Sequence, residues 1–329
     1  MKYRKLGRSP LAIAPLVLGG NVFGWTADRD ASFAILDRFV DTGLNAIDTA
    51  DIYSSWVPGH SGGESESMIG AWIASRGLRD RIVLATKVGA APAPSDGHWP
   101  CTLSSRHIVR SVENSLRRLQ TDYIDLYQAH GDDPGTPLEE TLEAFDSLVR
   151  SGKVRAVGAS HFEAGRLSAA LDISGSEGLA RFDTIQPRYN LAVRNEFEGD
   201  LQSACVERGV GALCYGALAK GFLTGKFRSA ADVEGKVYAQ FLRPFLNARG
   251  LRIVQALESI ALGHDTHAAC IAIAWVLAQP GVAAAIAAVD SVDQLDEIIG
   301  AASLELSGED LAVLATASGE RPEYDNDTA

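Results

Sequence analysis

Eight short apolar runs, each followed by a segment of helical character, recur along this chain, and no other feature restricts its fold as strongly. The runs are 16-LVLGG-20, 45-NAID-48, 81-RIVLATK-87, 123-YIDLYQAH-130, 153-KVRAVGAS-160, 182-FDTIQP-187, 210-VGALCY-215 and 283-AAAIAA-288. Brief, nearly continuous apolar runs suit strands buried on both faces, as in a parallel sheet covered by helices. Between them, a helix from about Arg29 places Phe33, Leu36, Phe39 and Val40 on one face and stops at Gly43. Another is expected near 64–76, and one near 105–119 carries Ile108, Val112, Leu116 and Leu119 at spacings of four, four and three. Thr136, Pro137 and Glu139 read as a capping box that opens a helix running through Val149 to Gly152. Eight such units over about 300 residues predict a single closed (β/α)8 barrel spanning 1–318. A doubly wound sheet would show GxGxxG after its first strand, where this chain reads LGGNVFG. The polar stretch 319-GERPEYDNDTA-329 is expected to be a disordered tail.

The formal net charge of −12 argues against nucleic acid as a main partner, because phosphate backbones call for a basic face. No apolar run approaches the roughly 18–20 residues of a membrane helix, and the start MKYRKLGRSP lacks a signal-peptide core. Cys101, Cys205, Cys214 and Cys270 form no CxxC pair and read as free thiols in a reducing compartment, most simply the cytoplasm. His264 and His267, three apart on an expected helix, lack a third ligand and read as surface residues, so no metal is expected.

In a barrel of this type the active site lies at the carboxyl ends of the strands. Three consecutive strands end in a titratable residue, Asp48, Lys87 and His130, and Tyr53 follows the first of them with an exposed-looking Asp51 between. A phenol ordinarily ionises near pH 10; a neighbouring ammonium favours phenolate and lowers that value. Asp48 can hold Lys87 charged, and His130 can orient a substrate oxygen, so the set suits protonation of an alkoxide forming on a carbonyl.

These residues carry a family resemblance. The pieces 48-DTADIY-53, 85-ATK-87, 122-DYIDLYQAH-130, 153-KVRAVGAS-160, 185-IQPRYN-190 and 215-YGALAKGFLTGK-226, in this order and spacing, resemble the aldo-keto reductases over nearly the whole chain. The resemblance implies a (β/α)8 barrel, a nicotinamide cofactor at its mouth and hydride transfer to an aldehyde or ketone, with Tyr53 as acid. It further implies Ser160 and Gln186 at the carboxamide, Tyr215 stacked on the nicotinamide, and a pyrophosphate loop from Gly216 to Gly221. In that loop Leu218 presents its N–H, and Lys220 or Lys226 adds positive charge. Gly20 and Asn21 fall near the nicotinamide ribose.

His161 stands where the family usually has asparagine, and Gly216 replaces a common serine. Family members that prefer NADPH usually carry Arg or Lys on the loop after the eighth strand, whereas this chain has Asp290, Ser291 and Gln294. An aspartate there repels a 2′-phosphate and accepts from the ribose hydroxyls of NADH. The family favours NADP(H) and the loop favours NAD(H); the balance goes slightly to NADP(H), with basic residues folding in from elsewhere. Trp25 and Trp56 read as an apolar wall for a bulky carbonyl substrate. Two other readings stay open: a nicotinamide-binding regulatory or sensor protein with little turnover, and a Schiff-base lyase using Lys87. Substrate identity and homo-oligomerisation are open as well.

Overall fold

Two short strands, β1 (Arg4–Lys5) and β2 (Ala12–Ile13), pair antiparallel and deliver Leu6, Leu11 and Ile13 into a buried cluster with Val17, Ala46, Ala85, Leu126, Ala156 and Leu213. That cluster fills the interior of a closed barrel whose strands are β3 (Leu16–Gly19), β4 (Ala46–Asp48), β5 (Val83–Val88), β6 (Ile124–Ala129), β7 (Val154–Ser160), β8 (Phe182–Gln186), β9 (Gly211–Cys214) and β10 (Val282–Ala287). All eight pair in parallel and in chain order, and β10 closes on β3. The molecule is described from a computed structural model covering residues 2–91, 101–236 and 238–319. Of the tail expected over 319–329, residues 320–329 lie outside the described residues.

Helices α1 (Arg29–Asp41), α2 (Glu64–Arg76), α3 (Ser105–Leu119), α4 (Leu138–Arg150), α5 (Ala164–Glu177) and α6 (Asp200–Arg208) connect successive strands from β3 to β9. After β9 come a 3-10 turn at Ala219–Thr224, the one-turn helices α7 (Ala230–Val233) and α8 (Ala239–Leu242), then α9 (Ala248–Gly263) and α10 (Ala268–Leu277). Two further helices, α11 (Val292–Ile299) and α12 (Gly308–Ser318), follow β10. The periodic face foreseen on α3 is buried at all four positions, Ile108, Val112, Leu116 and Leu119. On α1 the buried stripe is Ile35, Leu36, Phe39 and Val40, while Phe33 is half-buried under the guanidinium of Arg29.

Two local expectations fail for identifiable reasons. Thr136 does not cap α4: its hydroxyl donates to Asp133 Oδ2 at 2.7 Å, in a turn where Asp133 also accepts from the N–H groups of Leu103 and Gly135. The helix begins one residue late, with Pro137 as its N-cap. His264 and His267 do not share a helix; they end α9 and precede α10, whose axes bend by 98° at this break. The ring of His264 instead pairs with Asp310 at 3.0 Å. Among the described residues no helix is long and apolar enough to cross a membrane by itself. No group of three or more His, Cys, Asp or Glu among them is arranged to hold a metal ion.

Candidate active site

Side chains alternate along a strand, so residues two apart share a face. Inside the barrel this period carries each column from apolar to polar toward the carboxyl end: Ala46 to Asp48 on β4, Ala85 to Lys87 on β5, and Leu126 to Gln128 on β6, with His130 one step further. Register locks the layer, with Asp48 beside Ala85 and Lys87 beside Gln128. Beyond β4 the backbone still follows β5, as the N–H of Thr49 and of Asp51 donate to the carbonyls of Ala85 and Lys87 at 2.9 and 3.3 Å. A turn closed by Tyr53 N–H to Ala50 O, 3.2 Å, then brings Tyr53 back over the strand ends.

The four candidate catalytic residues therefore meet. Lys87 and Asp48 are 0% and 1% exposed. All three protons of the Lys87 ammonium are engaged: by Asp48 Oδ2 at 2.5 Å, the Thr49 carbonyl at 2.9 Å and the Tyr53 hydroxyl at 2.9 Å. The other oxygen of Asp48 accepts from Gln128 Nε2 at 3.2 Å and Gln186 Nε2 at 3.0 Å. A buried ion pair needs this full set of partners to offset its desolvation. The His130 ring stands edge-on to Tyr53, centroids 6.0 Å apart, and its Nδ1 is buried without a hydrogen-bond partner.

Electrostatics modifies one expectation. Burial lifts the Tyr53 phenol above its ordinary pKa, Lys87 opposes the rise and Asp48 reinforces it, so the net displacement is upward rather than downward. Tyr53 is thus a neutral phenol at physiological pH, the form that can give up a proton. Burial works against the charge on Lys87, but Asp48 and Tyr53 outweigh it and hold its pKa above the usual lysine range. An ammonium so committed is not the free amine that Schiff-base chemistry requires. Burial, then the charge of Lys87 and His161, keeps His130 well below its ordinary pKa, so the imidazole is neutral.

Beside the tetrad, the Ser160 hydroxyl donates to the Gln186 carbonyl at 2.9 Å, tying the ends of β7 and β8. His161 has φ +54, a region in which Asn, Asp and His are several-fold enriched. Its ring is edge-on to Tyr215 at 5.5 Å. The Gly216–Gly221 loop is held by Asn190 Nδ2 donating to Gly216 O at 2.9 Å, and it contains positive φ at Gly216, Ala219, Lys220 and Gly221. Two adjacent non-glycine residues in that region are costly and mark a conformation kept for a purpose. Leu218, at φ −99, precedes left-handed Ala219; such pairs turn successive N–H groups into an anion-binding concavity. Leu218 N–H has no acceptor among the described residues. The donor set fits a dinucleotide diphosphate. Lys220 lies over the rings of Tyr238 and Phe241, 5.3 and 4.0 Å from their centroids, and Lys226 faces Phe227 at 5.3 Å. Gly20 packs against Ser65, whose hydroxyl donates to its carbonyl at 2.7 Å, and Asn21 follows it in the same turn.

Between these two loops, after β10, Asp290 accepts from the Thr26 hydroxyl at 2.5 Å, and its N–H donates to Gln294 Oε1 at 3.0 Å, while Ser291 caps α11. No cation pairs with Asp290 among the described residues. Trp25 bridges the rim, edge-on to Trp56 at 5.4 Å and to Tyr238 at 5.2 Å, and Trp56 also contacts Tyr53 at 6.0 Å. The sequence carries no signal for Tyr238, whereas Gln128 is detectable as the inward residue between Leu126 and His130. Asp51 is not an exposed loop acid: its Oδ1 is buried and has no hydrogen-bond partner.

The model of the Aldo/keto reductase family matches residues 15–318. The chain is 36% identical over 318 residues to an uncharacterized oxidoreductase, YrpG, of Bacillus subtilis, covering 95% of each chain. It is 32% identical to Protein tas of Escherichia coli, covering 95% of this chain and 96% of the relative, and 33% identical to the aldo-keto reductase YhdN of B. subtilis, covering 92% and 87%. A closed parallel barrel with these relatives, matched from one end of the barrel to the other, is an oxidoreductase that belongs to the aldo/keto reductase family.

Proposed function

We propose that this barrel reversibly reduces an aldehyde or ketone to the alcohol, with Tyr53 Oη as the proton donor and residues 1–318 as one functional unit. The observation that carries the reading is the Lys87 ammonium, which touches Asp48 and the Tyr53 hydroxyl at once in a fully buried setting. A bound nicotinamide cofactor supplies the hydride. Tyr53 gives its proton to the oxygen of the reduced carbonyl, and Lys87 stabilises the phenolate that this leaves. Asp48, held by Gln128 and Gln186, fixes Lys87; neutral His130 hydrogen-bonds the carbonyl oxygen and orients it.

The left-handed Gly216–Gly221 loop, the unpaired Leu218 N–H and Lys220 or Lys226 are assigned to the diphosphate, and Ser160, His161, Gln186 and Tyr215 to the nicotinamide end. Gly20 and Asn21 are assigned to the ribose beside it, Asp290, Ser291 and Gln294 to the adenosine end, and Trp25 and Trp56 to the substrate wall. NADP(H) keeps the slight lead that the family gives it, and the cation for its 2′-phosphate has to come from outside 290–294. Oxidation of NADPH and of NADH is followed against a panel of aldehydes and ketones, with fluorescence titration of each cofactor alongside. Turnover with either is expected; binding without turnover on any carbonyl would leave the sensor reading, and tenfold tighter NADH, about 1.4 kcal/mol, would overturn the NADP(H) preference.

A further inference from the structure

Behind the tetrad, on the outer side of the strands, lies a second buried set of ionisable groups. Glu66 of α2 is 0% exposed; its Oε1 accepts from the Thr86 hydroxyl at 2.6 Å and its Oε2 from Arg118 Nε of α3 at 2.6 Å. Glu66 and Arg118 are thus a satisfied pair of net charge zero. Asp51 adds a second carboxyl to this pair without a cation of its own. Its Oδ1 is buried with no donor, and so is the Tyr127 hydroxyl of β6, which neither Asp51 nor any other described group engages. Burial, then the charge of Glu66, pushes the Asp51 carboxyl up to about 7, against the pull of Arg118 and of Lys87 on β5. Among the described residues, two further groups that feel the charge of Asp51 are neutral: the Tyr127 phenol, raised well above its ordinary value, and the Cys101 thiol, raised to about 12.

The same residue is wired to the catalytic pair. Its N–H donates to the carbonyl of Lys87 at 3.3 Å, and Tyr53 follows two positions later in the turn. We propose that Asp51 is a positioning residue of this site: a half-buried carboxyl with one oxygen sealed from solvent, whose charge, set against Glu66 and Arg118, biases the Lys87–Tyr53 pair and so the ease of proton transfer. Neutral Asp51 leaves the ammonium free to stabilise a Tyr53 phenolate. Ionised Asp51 adds a negative charge that raises the phenol's hold on its proton, so reduction slows as pH rises through the Asp51 ionisation. The expected decline is about fivefold, or about 1 kcal/mol, the scale of one unit charge about 4 Å away at the dielectric of bulk water. This rests on the proposed role of Tyr53, whereas the titration of Asp51 itself does not.

The test has two arms on the full-length protein. In the resting enzyme, carbon-13 NMR follows the Asp51 carboxyl and the Tyr53 ring carbon bearing the hydroxyl from pH 5 to 9.5. The Asp51 signal, assigned by its loss in Asp51→Asn, is expected to titrate near 7, and the Tyr53 signal to shift with the same midpoint in wild type and to stay flat in the variant. In turnover, kcat/KM for carbonyl reduction is expected to fall about fivefold around that midpoint and to lose the inflection in Asp51→Asn, which mimics the neutral acid in shape. A second variant, Glu66→Gln, lowers the midpoint by removing the neighbouring charge. An Asp51 carboxyl that titrates below pH 5, or a Tyr53 shift that survives Asp51→Asn unchanged, overturns the proposal. Absence of turnover in wild type overturns the reductase reading instead and leaves the NMR arm to decide the role of Asp51.

Discussion

Replacing Lys87 by Met removes one half of an ion pair that is sealed from solvent, and the structure sets the size of the effect. At 2.5 Å and an effective dielectric of about 20, the attraction between the two charges is about 7 kcal/mol. Desolvating both ions costs several kcal/mol each, so the net worth of the pair against an apolar replacement is near zero. Loss of the lysine alone is a different matter. Asp48 would keep only Gln128 and Gln186 as donors, and the Tyr53 hydroxyl and Thr49 carbonyl would each lose a partner. Lys87→Met is therefore expected to destabilise by about 3–5 kcal/mol, the range for an orphaned buried charge. Adding Asp48→Asn removes the stranded charge and is expected to recover most of that loss. Urea unfolding of wild type, both single variants and the double variant gives the coupling energy as a cycle, provided the slopes agree. A Lys87→Met cost below about 1 kcal/mol, or a double variant as unstable as the sum of the singles, would refute the claim that the pair stands or falls together.

Other consequences follow from the same electrostatics and packing. Asp51 has a folded-state pKa raised from 3.8 to about 7, so its contribution to stability is fully present below the unfolded value and is lost as pH rises between about 4 and 7. At about 1.4 kcal/mol per pH unit the loss approaches about 4 kcal/mol, and Asp51→Asn is expected to equal wild type near pH 4 and to exceed it above pH 7 in thermal melts; equal melting at both pH values would contradict this. A Cβ on Gly70 of α2 would lie 2.2 Å from the Arg118 carbonyl and 2.8 Å from Leu119 Cα, backbone that cannot step aside. Gly70→Ala should therefore cost about 1–3 kcal/mol in chemical unfolding despite the better helix propensity of alanine. Because the upward displacement of Tyr53 keeps it protonated, carbonyl reduction is expected, past the single step at the Asp51 midpoint, to hold its level to high pH, and alcohol oxidation to climb with pH as phenolate forms; parallel profiles in both directions would argue against Tyr53 as the shared acid and base.

The barrel was legible because its signal is repeated: eight apolar runs at regular intervals leave few alternatives, and strand ends locate the mouth without any side-chain detail. The convergence of Asp48, Lys87 and His130 followed from their places at those ends. What the sequence hid were relations between distant residues. The hydroxyl of Thr136 is taken by Asp133, an option that a capping pattern cannot weigh. The break between α9 and α10 separates His264 from His267, although both lie within what reads as helical pattern. The displacement of Tyr53 depends on burial outweighing a lysine, and only the packed loop shows that balance. Asp51 reads as a polar loop residue until the fold buries its Oδ1 within the field of Glu66 on α2 and Arg118 on α3.

The central claim is that Tyr53 supplies the proton, and Tyr53→Phe tests it most directly because it removes one oxygen and keeps the ring against Trp56 and His130. For a reducible carbonyl, kcat is expected to fall by about 100-fold or more, the usual contribution of a positioned acid, while the cofactor dissociation constant measured by fluorescence stays within about twofold of wild type. A variant that binds cofactor normally and keeps more than about a tenth of the wild-type kcat would contradict the assignment and return the proton donor to another group at the barrel mouth.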